Sequence, residues 1–241
     1  MKTKLNFRVI FTWTIVSILL IIFLLVTWLP RTPQQVINML HKASSDLKSY
    51  AVIVHIIFIF MFLLGVFLKK IRNIIFPVLM IYISISATVV AVLYNILPNI
   101  IIYGLYSILI FFSLIKKEFD FELKKISWLS RIFGIFGIIT GFWYLHWIEK
   151  PIMLNALFFS PMGILNCPTM LIICGFLILN TNSKLYLLEF VVGFSTLWIG
   201  FMGIFALGAY VDICLIIVAL FILIRMGYYL SYNALLKVEN S

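Results

Sequence analysis

Long apolar runs separated by short polar connections fill the chain. Eight can be drawn, over residues 9–29, 50–68, 74–95, 98–115, 129–148, 165–181, 186–206 and 208–225. A spanning helix needs about 20 mostly apolar residues, so each run is long enough to cross, or nearly cross, a bilayer core. None has the short alternating pattern of a transmembrane barrel strand. Helices satisfy their own backbone groups in hydrocarbon. The pattern therefore predicts an all-α, polytopic transmembrane helix bundle of about eight spans, built as one domain over residues 1–241.

Three connections have patterns of their own. Residues 30–49 contain Thr32-Pro33-Gln34-Gln35, followed over 36–47 by Val36, Ile37, Met39, Leu40, Ala43 and Leu47. That spacing predicts a short amphipathic helix on the membrane surface. Residues 116–130 carry Lys116-Lys117-Glu118-Phe119-Asp120-Phe121-Glu122 and read as a solvated turn beside anionic lipid. Residues 151–165 are apolar but broken by Pro151, Pro161 and Gly163, the pattern of a re-entrant loop that needs protein around it. The first run follows Lys2, Lys4 and Arg8, but at 9–29 it exceeds the roughly 7–15 residues of a signal core. It reads as an additional N-terminal anchor helix.

Composition agrees with a lipid environment. Of the 241 residues, 64% are hydrophobic and 11% charged, and mean hydropathy is +1.19. A soluble domain carries about 25% charged residues, so that class and a disordered chain are excluded. The net charge of +10 is read as positive-inside bias rather than nucleic-acid binding. With the N-terminus inside, the inner connections hold fourteen of the eighteen basic residues, and the outer ones hold Arg31, Lys42, Lys48 and Lys150. This split places both termini in the cytoplasm of a multi-pass cell (cytoplasmic) membrane protein.

Polar groups inside a bilayer are costly and mark candidate sites. In the expected topology His55, His146, Glu149, Cys167 and Asp212 all fall toward the outer side, which suggests an outward-facing pocket. Trp143, His146 and Glu149 are spaced by three and would share a helical face. Asn166, Cys167, Pro168 and Thr169 open the sixth run, with proline where a first turn tolerates it and Asn or Thr able to cap free N–H groups. Trp198 either lines the pocket or fills core. Each candidate also has a plain structural reading: an interfacial anchor, a helix cap or a packed side chain. The sequence leaves open a disulfide between Cys167 and Cys214. It shows no zinc-type Cys/His spacing, and no cofactor is expected. Gly134, Gly137 and Gly141 in the fifth run, and Gly193, Gly200 and Gly203 in the seventh, predict close helix packing.

Together these residues resemble a family of uncharacterised prokaryotic multi-pass membrane proteins, grouped as a domain of unknown function. Its pattern has a Thr-Pro-x-Gln element, matched by Thr32-Pro33-Gln34-Gln35, and a Pro-Cys-Pro-Thr element, matched by Cys167-Pro168-Thr169 with Gly175 after it. A tryptophan–glycine helix before an aspartate is similar to Trp198-Ile199-Gly200 and Asp212. The likeness runs over 32–225. Asn166 replaces the first proline, and a Gly-His pair before the cysteine is missing, its histidine either lost from this chain or replaced by His146. The resemblance implies the membrane fold and directs attention to the outer site. It carries no activity.

Three functions fit this pattern. The leading one is transport or binding of a small molecule in the outward pocket. A sensor or a subunit of a larger complex is the second, with the oligomer or complex partner not identified. A membrane redox or metal-dependent enzyme is the third, and the thin supply of histidines weighs against it. The lipid bilayer is the expected partner in all three. The charge count predicts that a reporter fused after Ser241 is active only on the cytoplasmic side; activity outside would contradict an even number of spans.

Overall fold

In the computed structural model, residues 7–28, 31–122, 124–144, 153–182 and 184–239 are described. Among them the chain is all-helical. Helix α1 spans Phe7–Trp28, α2 Pro33–Asp46, α3 Lys48–Phe67, α4 Arg72–Leu93 and α5 Leu97–Ile115. Helix α6 spans Trp128–Phe142, α7 Met153–Phe159, α8 Asn166–Leu179, α9 Tyr186–Leu207 and α10 Ile213–Glu239. Every apolar run contains a helix, and α2 and α7 lie in connections. Five stretches are long and apolar enough to cross a membrane: α3, α4, α5, α9 and Tyr210–Ser231. The described apolar parts of α1, α6 and α8 are shorter.

Helix α8 stands at the centre. Every residue from Pro168 to Leu179 is buried, and the helix packs on α4, α6, α9 and α10. Its closest neighbour is α6. A Cβ on Gly137 would stand 2.9 Å from the Leu171 carbonyl oxygen, and one on Gly141 would stand 2.6 Å from that of Pro168. From the other side, a Cβ on Gly175 would come within 2.7 Å of the Gly134 carbonyl oxygen. Only backbones bare of side chains approach this far, which is how packing replaces the hydrophobic effect between helices in lipid. Gly193 and Gly200 make similar room on α9 for Ile222 and Ile216 of α10.

The end at which α8 finishes is held by buried charge. The Arg225 guanidinium donates to the carbonyls of Leu177, at 2.8 Å, and Ile178. It also pairs with Glu189 at 2.6 Å, with both side chains at least nine-tenths buried. The carbonyls at a helix end have no partner within the helix, so one arginine serves both α8 and α9. Because its charge is matched, Arg225 does not end the last helix, which runs on past the predicted limit of 225. Arg72 acts similarly, donating to the carbonyls of Gly65 at 2.7 Å, Val66 at 2.7 Å and Phe121 at 3.2 Å.

Two connections depart from expectation. Within the 116–130 connection, Phe119-Asp120-Phe121 is docked on the bundle, while Lys116, Lys117 and Glu122 stay exposed as expected. Phe119 and Phe121 are buried, Asn180 Oδ1 accepts from the Asp120 N–H at 2.7 Å, and Asn73 Oδ1 accepts from the Phe121 N–H at 2.9 Å. Alternating Phe119-Asp120-Phe121 turns both rings inward while backbone and side-chain amides meet the polar groups. Helix α2 starts at Pro33, earlier than expected, because Thr32 and Gln35 form a reciprocal capping box. Arg225→Met should cost about 3–5 kcal/mol, since it strands Glu189 as a buried unpaired charge. Adding Glu189→Met should recover part of that loss in denaturant melts, and a double variant no more stable than the single one would contradict the pairing.

Candidate functional site

Helix α8 also starts inside the protein. Residues 160–165 before it are irregular and buried. Such backbone survives at membrane depth only where protein surrounds it and satisfies its polar groups. Here Ser86 donates to the Gly163 carbonyl at 2.6 Å, and Tyr50 shares a 2.9 Å hydrogen bond with the same serine hydroxyl. The Gly163 N–H donates to Thr169 Oγ1 at 2.9 Å, and Thr169 donates to the Leu165 carbonyl at 2.6 Å. Gly163 sits at φ +70°, where a side chain would be strained. Thr169 therefore pins the loop instead of capping the helix, and no side chain caps Asn166 onward.

This recessed helix start borders a cavity of about 440 Å³ beneath α2. Most of its wall is apolar, including Val26 of α1, Met39 of α2, Leu97 of α5 and Ile199 and Met202 of α9. Among the described lining residues the polar ones are few: Thr27, Asn99, Tyr144, Asn166, Cys167 and Asp212, with Arg31 near α2. The exposed Arg31 guanidinium donates to the Asn95 carbonyl at 3.1 Å and to Met39 Sδ at 2.9 Å.

Asp212 is the focus. It sits in a single 3-10 turn, Tyr210–Asp212, between α9 and α10 and is 1% exposed. The Tyr144 hydroxyl donates to Oδ1, and the Cys167 thiol donates to Oδ2 at 3.4 Å. Gly203 makes the space for it, since a Cβ there would fall 1.8 Å from Asp212 Oδ2. A carboxylate accepts at about four lone-pair sites, so these two donors leave acceptor capacity unused. Asn99, also 1% exposed, has neither its amide nitrogen nor its oxygen hydrogen-bonded, and Asn166 Oδ1 is likewise unpartnered. Leaving such groups unpaired costs roughly 1–3 kcal/mol each.

Of the residues singled out in the sequence, Asn166, Cys167, Pro168 and Asp212 line this cavity. Thr169 lies just behind it in the loop network. His55 does not line it: it is buried on α3, with Nδ1 2.8 Å from the Ala51 carbonyl and Nε2 3.4 Å from that of Phe142, and its ring packs on Phe142. Trp198 also lies outside, donating to Thr27 at 2.8 Å and so tying α9 to α1. Trp143 is outside the lining as well. Helix α6 ends at Phe142 and closes with the Trp143 N–H on the Ile139 carbonyl. The chain leaves the helix there and Tyr144 turns inward to Asp212. His146 and Glu149 lie outside the described residues.

Asn99 and Tyr144 escaped the sequence reading. An amide one position after Pro98 in an apolar run was the available signal for the first. Nothing in the spacing marked Tyr144. Cys167, Cys174 and Cys214 are all free thiols, so the disulfide left open above is not made. Among the described residues no group of three or more His, Cys, Asp or Glu is placed to hold a metal ion.

No family model, curated protein or solved structure matches this chain, so the resemblance drawn above gains no support from them.

The Asp212 pocket makes Gly203 critical. Gly203→Val should lower stability by about 1–3 kcal/mol through overpacking. Gly104→Ala, where an added Cβ meets nothing within 4 Å, should be neutral or slightly stabilising. Equal losses in thermal melts would show that Asp212 is not seated against Gly203.

Proposed function

We propose that the protein takes a small solute from the outer side of the cell membrane into the cavity beneath α2, as a transporter or solute-binding membrane protein. In this reading it has eight spans, with both termini in the cytoplasm. Cys167, Asp212 and the 160–165 loop then lie toward the outside, in keeping with the charge split between connections. The family resemblance through Thr32-Pro33 and Cys167-Pro168-Thr169 points to the same end of the molecule.

One observation carries the proposal: Asn99 is buried at the cavity wall with its whole amide unpartnered. Small-molecule sites combine apolar walls of about 300–1,000 Å³ with a few convergent polar groups, and this cavity has that make-up. A nucleophilic enzyme is less well supported. The Cys167 thiol is spent on Asp212, and no imidazole lines the cavity among the described residues, so no Cys–His pair of thiol catalysis supports that reading among them.

Ala206 lines the cavity, and Ala206→Trp should fill it. A panel of small solutes screened by thermal shift in mild detergent should contain stabilisers of the native protein that no longer act on Ala206→Trp. A ligand at 100 times its Kd adds about 2.7 kcal/mol, well within reach of such a screen. Stabilisers acting equally on both proteins would place binding elsewhere.

A further inference from the structure

The geometry points to an organic ammonium ion with an apolar body as the solute, an assignment that rests on the cavity being the solute site. Three observations set the class. First, the interior polar groups are rich in acceptors. Asp212 has spare capacity beyond Tyr144 and Cys167, and the side-chain oxygens of Asn99 and Asn166 are unpartnered, against one unpartnered donor, the Asn99 amide nitrogen. An ammonium group brings three N–H donors and no acceptor.

Second, the acidic group is buried. Lys125 pairs with Glu122 and Arg225 with Glu189, whereas Asp212 has no Lys or Arg partner among the described residues. An ammonium would supply the opposite charge in a setting where a charge-assisted hydrogen bond is about twice as strong as a neutral one. A carboxylate or phosphate would instead meet Asp212 as a like charge. The one described cation among the lining residues, Arg31, is exposed and turned to the Asn95 carbonyl and Met39 sulfur.

Third, the remaining described lining residues carry no charge to receive a second ionic group. Val26, Leu97, Ile199, Met202, Ala206 and Leu207 surround the space. An alkyl or aryl body satisfies them by burial. Asn99 gives the recognition a second anchor besides the carboxylate, because it lines the cavity from α5 rather than from the turn that carries Asp212.

The test compares three probes of one shape, hexylammonium, 1-hexanol and hexanoate, by thermal shift and titration on the full-length protein in detergent. Hexylammonium should bind at least about tenfold more tightly than the other two. Asp212→Asn should weaken it about ten- to a hundredfold while leaving hexanol unchanged. Asn99→Leu keeps the carboxylate and should weaken hexylammonium about fivefold or more, which decides the matter if Asp212→Asn does not fold. Hexanol or hexanoate binding as tightly as hexylammonium, with Ala206→Trp blocking both, would overturn the ammonium assignment and leave the solute site standing. No probe binding at all, to the native protein or to Ala206→Trp, would overturn both.

Discussion

A central helix too short to reach across a bilayer, and enclosed by protein on every side, is the constraint from which the rest follows. Helix α8 has 14 residues, about 21 Å at 1.5 Å per residue, against a hydrocarbon core of about 30 Å. Both ends stop within the protein, where the free N–H and C=O groups of a helix end and of the chain beside it depend on partners supplied locally. Arg225 meets the carbonyl end, and Glu189 balances its charge. At the other end Thr169, Ser86 and Tyr50 hold the incoming loop. A buried ion pair adds little net stability by itself, but breaking one is costly. Its use here is positional: it fixes how deep α8 sits.

The start of α8 and one face of α2 share the wall of the cavity. The Cys167 and Asn166 side chains at the helix start, and Asp212 on the turn after α9, face that space. The close approach of α6 across Gly137 and Gly141 ends just before Tyr144, which leaves its helix to reach Asp212. The glycine seam and the carboxylate are thus parts of one arrangement. Closing the α6–α8 gap brings Tyr144 within reach of the turn between α9 and α10.

The sequence exposed the helices more readily than the site. Apolar runs name their own helices because lipid penalises any other backbone, and each of the eight contains one. The glycines of α6 and α9 were legible as packing positions for the same reason. Cys167 and Asp212 stood out because polar side chains in apolar runs need explaining. What stayed hidden depends on contacts between distant segments. Tyr144 meets Asp212 68 positions away, and Arg225 meets Glu189 36 positions away. His55 has the same polarity as a site residue, but it serves local carbonyls. Composition cannot tell such a histidine from a ligand. Phe119 and Phe121 misled in the other direction, since the charges around them suggested water while the rings are buried.

The most direct measurement is site-resolved thiol labelling of the full-length protein in right-side-out membrane vesicles, read by mass spectrometry with a small water-soluble reagent. Cys167 lines the cavity, whereas Cys174 lies two turns deeper on α8, fully buried. A recessed helix start open to the outside predicts labelling of Cys167 with Cys174 protected. Protection of both, or labelling of Cys167 only in inverted vesicles, would contradict it.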